Sequence, residues 1–282
     1  MDRSSRLCKF FSFTQAGIAD GREGAPLEKR QGRFQGCPLL VFLLILLIWE
    51  LISLSGVYDS NTFPSPARVF QAFSNLTKSG ILIRYSVASL YRVSVGFYLA
   101  VILGISLGVL LGIWQRACQI FYSLIQFLRP ISPLAWIPFA LLWFGIGDGS
   151  AIFLIFLSSF FPMLFSTIVA VKSIPQIYFQ IGANFNFSKT ETFKLIIFPA
   201  ILPDIITAMR ISLGVAWLVV VAAEMIAVKS GLGYLIIDSR NALRMDYVVV
   251  AMVTIGVIGL IIDKVISLLQ RPTFVRWKLE KK

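Results

Sequence analysis

Six stretches of this chain, each about as long as the hydrocarbon core of a bilayer requires of a helix, carry almost no charge. They run from about Pro38 to Gly56, Tyr85 to Trp114, Cys118 to Phe144, Ser150 to Val171, Pro203 to Ala227 and Val248 to Gln270. In lipid no water satisfies backbone N–H and C=O groups, so a span must close its own hydrogen bonds as a helix or belong to a closed barrel. Runs this long and continuous predict helices, since barrel strands are short and alternate in polarity. The expected fold is all-α: a polytopic membrane helix bundle of about six transmembrane helices joined by short loops. Composition agrees, with 57% hydrophobic residues, 14% charged and a mean hydropathy of +0.81. Soluble domains are about 25% charged. The absence of histidine removes imidazole catalysis and histidine metal sites. Cys8, Cys37 and Cys118 lie far apart, with no C-x-x-C pair, so they read as idle thiols. No catalytic residue and no metal site is expected.

The net charge of +12 is a topology signal when mapped along the chain. With the N-terminus inside, sixteen Lys and Arg fall in the cytosol and six on the far side, which the positive-inside rule favours. Three regions follow: a cytosolic basic arm over 1–37, a transmembrane domain over 38–272 and a cytosolic basic tail over 273–282. The first run reads as an uncleaved span, because the arm before it is too long for a signal peptide and no A-x-A site follows. The chain is predicted to sit in lipid with both termini cytosolic, and no basic fold is present to dock on nucleic acid.

Within this frame several segments stand out. Proline at Pro64 and Pro66 followed by an amphipathic stretch to Leu76 predicts a short interfacial helix. Gly96, Gly104, Gly108 and Gly112 give small-x-x-x-small spacings that permit close helix contact. The third run contains Arg129, Pro130, Ser132, Pro133, Trp136 and Pro138, so it must be kinked or unwound. Irregular backbone at membrane depth survives only inside protein or against a wet cavity, which makes this segment a candidate for lining a path.

Charges in or near the apolar runs need a partner, a cavity or a route to the surface. Glu50, Asp263 and Lys264 can snorkel or pair, and Arg92 reads as a packing or interfacial charge. Arg129 can supply positive potential beside a path, or serve as an ion pair or helix-end cap. Arg210 fits coupling or lipid-headgroup contact, and Glu224 a gate or an inter-subunit hydrogen bond. Trp136, Trp143 and Trp217 either shape a cavity or anchor span ends. Ser132, Ser158, Ser159, Ser166 and Thr167 either meet an oxyanion or bond back to their own helices.

Between the fourth and fifth runs, Pro175 to Pro203 interleaves aromatic and polar residues in a segment too polar to span. Aromatics there read either as a docking surface or as an amphipathic helix on the membrane. The spacing resembles the coupling loop of permease subunits from ABC importers, which has E-A-A near its start, glycine six residues after the E, and I-x-x-x-P-x-x-x-P at its end. Gln180, Ile181 and Gly182 occupy the E-A-A places and Asn186 the glycine place. Asparagine can adopt the left-handed conformation that glycine supplies. Phe193, Lys194, Leu195, Phe198, Pro199, Ala200, Leu202 and Pro203 match the end.

Other markers resemble the sulfonate/nitrate/bicarbonate/taurine branch. They are Phe63 to Pro66, Ser89 to Arg92 with Gly96 and Phe97, Arg129 to Pro138, and Leu142 to Gly147. Arg210 with Leu213 to Trp217, Ala222 to Glu224, and Ser230 to Leu235 complete them, over about residues 60–272.

The resemblance implies a type I importer permease fold with the coupling loop at 175–199. Gln180, Gly182, Ala183, Phe185, Asn186, Phe187, Ser188, Phe193 and Pro199 would form the surface on which an ATP-binding subunit docks. Arg129, Ser132, Pro133, Trp136, Trp143, Arg210 and Glu224 are the candidates for path or gate. It also implies a second permease copy, an extracytoplasmic solute-binding protein and a bacterial-type inner membrane. No G-x-x-x-x-G-K-[ST] occurs, so ATP and Mg would be held by the partner ATPase, with no cofactor on this chain and no enzyme activity of its own. The expected solute is a small oxyanion, an aliphatic sulfonate or taurine first and nitrate or bicarbonate next. The competing readings are a secondary transporter or channel that works without ATP, and a membrane anchor.

Overall fold

The computed structural model describes residues 37–55, 59 and 62–269. The basic arm and tail lie outside the described residues, apart from Cys37. The chain divides into two units, 1–45 and 46–282. Helix α1 (Cys37–Leu54) carries the first apolar run, and its 18 residues cross the boundary between them.

The second unit is helical throughout its described elements. In chain order these are α2 (Pro66–Lys78), α3 (Ile81–Ile113), α4 (Gln115–Leu128), a 3-10 turn (Pro133–Trp136), α5 (Ile137–Phe144), α6 (Asp148–Lys172), α7 (Gln176–Asn184), a helical turn (Lys189–Thr192), a π-turn (Phe193–Ile197), α8 (Phe198–Ala227), α9 (Leu232–Asn241) and α10 (Met245–Leu269). Among the described residues four helical stretches are long and apolar enough to cross a membrane, and α4 with the 3-10 turn and α5 makes a fifth when taken as one span broken by an 88° bend.

Helix pairing shows how these spans alternate. Gly96, Gly104, Gly108 and Gly112 of α3 each lie against the α6 residue 59 positions later: Ile155, Met163, Thr167 and Val171. A constant difference means that the helices run parallel. A Cβ on Gly108 would sit 2.6 Å from that of Thr167, so the glycines are what lets the two backbones meet. Parallel neighbours require the chain between them to return to its starting level. Arg92 bonds Asp148, so from Ile113 that return is about 30 Å at 1.5 Å per residue, a bilayer core's thickness. The broken span makes it. Cys118 and Ile125 pack with Leu164 and Ile168, and Ala140 packs with Ala151, so numbering falls along α6 as it rises along α4 and α5.

The same antiparallel relation joins α8 to α6, through Ser159 on Ser212 and Gly147 on Ala227, and α10 to α8, through Trp217 on Ile255 and Arg210 on Asp263. The proline-entered α2 packs its buried Ala72 and Leu76 against the cluster holding Val250 and Ala251 of α10.

The fifth apolar run differs from expectation at its start. Helix continues from Lys189 through to Ala227, 39 residues, with a π-turn over Phe193–Ile197. Pro199 has no N–H to give the carbonyl of Leu195, and its ring crowds that carbonyl. The helix widens there, and the Phe198 N–H bonds the Phe193 carbonyl five residues back. Pro203 therefore lies inside a helix and does not begin one.

Candidate functional site: a coupling hairpin, a broken span and a buried charge node

The polar segment between α6 and α8 folds as a helical hairpin. Helix α7 ends at Asn184, and Asn186 takes φ +52°, the left-handed conformation that closes the turn. The Phe187 N–H donates to the Gly182 carbonyl at 2.9 Å and the Asn186 N–H to that of Ala183 at 3.0 Å. Ser188 then caps the next turn. Its N–H donates to the Glu191 carboxylate at 2.8 Å and its Oγ accepts from the Glu191 N–H at 3.3 Å, a reciprocal capping box. Gly182 is buried, and a Cβ on it would lie 2.8 Å from Ile196 Cδ1. It is thus a closure point of the hairpin, whereas Gln180, Ala183, Phe185, Ser188 and Phe193 are exposed. Phe185 is 72% exposed, its ring 6.1 Å from that of Phe187, and Ile177, Tyr178 and Leu195 are exposed beside it. Pro199 sits half-buried at the base. The capped hairpin thus exposes aromatic and aliphatic side chains outside the packed helices.

The broken span places its candidates differently. Arg129 is exposed, its guanidinium 4.3 Å above the ring of Phe165 on α6, a cation–π contact. Ser132 accepts from the Leu134 N–H at 3.3 Å, so its hydroxyl caps the 3-10 turn that Pro133 begins. Trp136, Phe139 and Trp143 form a ring ladder at 5.8 and 5.7 Å, which continues onto Phe153 of α6. These rings pack the bend against its neighbour.

Glu224 is 0% exposed and is held by groups of its own chain. One carboxylate oxygen accepts from Arg92 at 2.5 Å; the other accepts from the Ser89 hydroxyl at 2.8 Å and the Gly233 N–H at 3.0 Å. Arg92, 2% exposed, also donates to Asp148 at 2.8 Å, to the Ser230 carbonyl at 2.9 Å and to the Ser230 hydroxyl. Ser89 accepts from the Leu232 N–H at 2.9 Å. This node ties α3, the start of α6, the end of α8 and the turn into α9. Gly231 belongs to it sterically: a Cβ there would run into the Glu224 carboxylate. Ser89 and Ser230 stand in the sequence only within marker stretches of the resemblance and not as site candidates, and Asp148 is not a candidate either.

Arg210 holds Asp263 of α10 in a two-point ion pair, Nε to Oδ1 at 2.8 Å and Nη2 to Oδ2 at 2.9 Å. At the turn between α9 and α10, Arg244 pairs with Asp246 at 2.9 Å and stacks on Tyr247. The Asp246 hydrogen bond holds the guanidinium pKa above its usual value. Helices α6 and α8 also leave a cavity of about 410 Å3, lined by Phe165, Ser166, Ser173, Asp204, Thr207 and Ile211 among others. Asp204, next to Pro203 where the fifth apolar run begins, is not among the sequence candidates.

Residues 100–273 match the family model described as binding-protein-dependent transport system inner membrane component. A chain of Methanocaldococcus jannaschii named as an ABC transporter permease is 37% identical, over 84% of this chain and 91% of its own. The nitrate import permease of Synechocystis is 34% identical over 90% and 95%, and a Bacillus subtilis protein named for aliphatic sulfonates transport is 33% identical over 90% and 91%. Among solved structures, a chain of the MetNI methionine ABC transporter in an inward-facing conformation superimposes with TM-score 0.55 at 17% identity, covering 68% of this chain and 97% of that one.

Proposed function

Because this chain belongs to the family of binding-protein-dependent transport system inner membrane components, we propose that it is the permease subunit of an ATP-driven importer for a small anion. The observation that carries the reading is the hairpin over 175–199, where a left-handed Asn186, a capping box at Ser188 and a π-turn before Pro199 present Phe185 to solvent. An ATP-binding subunit, holding ATP and Mg, docks on this surface. Its closure moves the hairpin, and because helix runs unbroken from Lys189 into α8, the motion passes directly into the bundle. This chain performs no hydrolysis.

A second copy of the permease completes the path, and an extracytoplasmic protein delivers the solute. Both termini are cytosolic, so the hairpin faces the cytosol and the Arg92–Glu224 node lies toward the opposite side. The names of the relatives support an oxyanion as cargo, an aliphatic sulfonate first, then nitrate or bicarbonate.

The test is affinity purification of the tagged chain from native membranes in mild detergent, with co-purifying chains identified. A P-loop ATPase in about equal amount, lost in the Phe185→Glu/Phe187→Glu double variant while the permease itself still elutes as a folded species, is the expected result. Recovery of the chain without any ATPase, together with gradient-driven flux that the double variant leaves unchanged, would point to an ATP-independent carrier.

A further inference from the structure

At the end of the bundle opposite the hairpin, α2, α3 and α10 leave an apolar groove of about 560 Å3 between them, lined by Phe73, Ile83, Val87, Val253 and Val257 among others. These five side chains are 44%, 59%, 58%, 55% and 50% exposed, so the groove opens to whatever surrounds the bundle. The hydroxyl groups on its wall offer a solute no proton. Thr77 donates to the Phe73 carbonyl at 2.8 Å, Ser86 to that of Leu82 at 2.7 Å and Thr254 to that of Val250 at 2.8 Å. The rim is cationic. Lys78 follows the lining Thr77, Arg84 follows the lining Ile83, and both are exposed. No Asp or Glu occurs anywhere from Pro66 to Ile113, the whole of α2 and α3. Among the described residues the ion pairs belong to Arg92, Arg210 and Arg244, and none to Lys78 or Arg84. Arg84 stands eight residues before Arg92, about 12 Å of helix rise, beside the turn at Gly80 where the span begins. That is headgroup depth, with the groove running from it toward the hydrocarbon.

We propose that this groove is a binding site for an anionic phospholipid, one acyl chain lying along Ile83, Val87 and Val253 while Lys78 and Arg84 hold the headgroup phosphate. Two exposed cations without a counter-charge in the fold call for one from outside it. A headgroup that carries its own ammonium returns a cation to the same spot, so the site favours a lipid with net negative charge. The positive-inside bias disfavours Lys and Arg at this end of the molecule when the termini are cytosolic, and these two stand there against it. A second copy of the chain fits the rim less well, because Asp148 and Asp246 at this end are already engaged by Arg92 and Arg244. The bound lipid ties the turn between α2 and α3 to α10, and through α3 it braces the helix that carries Ser89 and Arg92. The site needs only that the chain spans a membrane, and it stands whether or not ATP drives transport.

The experiment places the full chain in phosphatidylcholine liposomes doped with phosphatidylglycerol or phosphatidylcholine, each bearing the same photoactivatable acyl chain. Adducts are mapped on peptides after illumination. Phosphatidylglycerol should label the segments 73–77, 82–87 and 253–257 at least about tenfold more than phosphatidylcholine does. The Lys78→Gln/Arg84→Gln variant should lose that excess and keep its adducts elsewhere. Lys189→Gln/Lys194→Gln, which removes the same charge from the hairpin, should retain it. A measurement on wild type alone guards against a variant that fails to fold: unlabelled phosphatidylglycerol, and not phosphatidylcholine, should suppress the groove adducts. Equal labelling of the groove by the two lipids in wild type, or an excess that survives loss of Lys78 and Arg84, would overturn the site. A groove that neither lipid labels would overturn it as well, and cross-links between two copies through Val87→Cys would then assign this face to a dimer.

Discussion

A guanidinium and a carboxylate withdrawn from water together, as Arg92 and Glu224 are, hold only because every lone pair and proton finds a partner. Arg92 has Glu224, Asp148 and Ser230; Glu224 has Arg92, Ser89 and Gly233. The two arms of the arginine are unequal, since Asp148 is 57% exposed whereas the Glu224 side chain is 0% exposed. Glu224→Gln leaves the buried guanidinium with only the solvent-screened Asp148 as counter-charge and is expected to destabilise the chain by about 3–5 kcal/mol. Asp148→Asn, on the solvent-screened arm, should cost no more than about 1 kcal/mol. Unfolding of the two variants in the same detergent, followed by thermal denaturation, reads this difference. Similar losses in both would mean that the node is not anchored on Glu224.

At the scale of elements, the same node appears as the far end of a seam that begins with glycine. The contacts of Gly108 and Gly112 with Thr167 and Val171 leave no room for a side chain, whereas Gly214 of α8 has nothing within 4 Å of where its Cβ would stand. Gly108→Ala should therefore destabilise by about 1–3 kcal/mol through overpacking. Gly214→Ala should be neutral or stabilise by up to about 1 kcal/mol through helix propensity. A thermal-stability comparison of the two single variants checks both signs.

The glycine seam was legible in the sequence because its signal is periodic along one helix. The left-handed Asn186 and the broken third span were legible too, since a turn position and a proline cluster are local constraints on backbone. The partner of Arg92 was not. Glu224 lies 132 residues away, and which charge meets which depends on the order in which helices pack. Asp204 was missed for a local reason: the π-turn lets helix begin before Pro203, which moves an acid from a span's edge into its wall.

For the whole molecule, the parallel pairing of α3 with α6 and the antiparallel pairings of α6 with α8 and α8 with α10 leave one consistent threading of the second unit. The broken span and α8 run one way, and α3, α6 and α10 the other. The hairpin at Phe185 and the turn at Leu243 then fall on opposite faces of a membrane, whichever face is cytosolic. Both positions suit chemical labelling, being 72% exposed. With Cys8 and Cys37 replaced by serine and the buried Cys118 kept, Leu243→Cys should react with a membrane-impermeant maleimide on intact cells. Phe185→Cys should react only in inverted vesicles. The reverse pattern would invert the orientation and move the hairpin away from any cytosolic ATPase. Labelling of both positions from one side would break the threading itself, because no arrangement of alternating spans can bring the two ends of α8 to the same face.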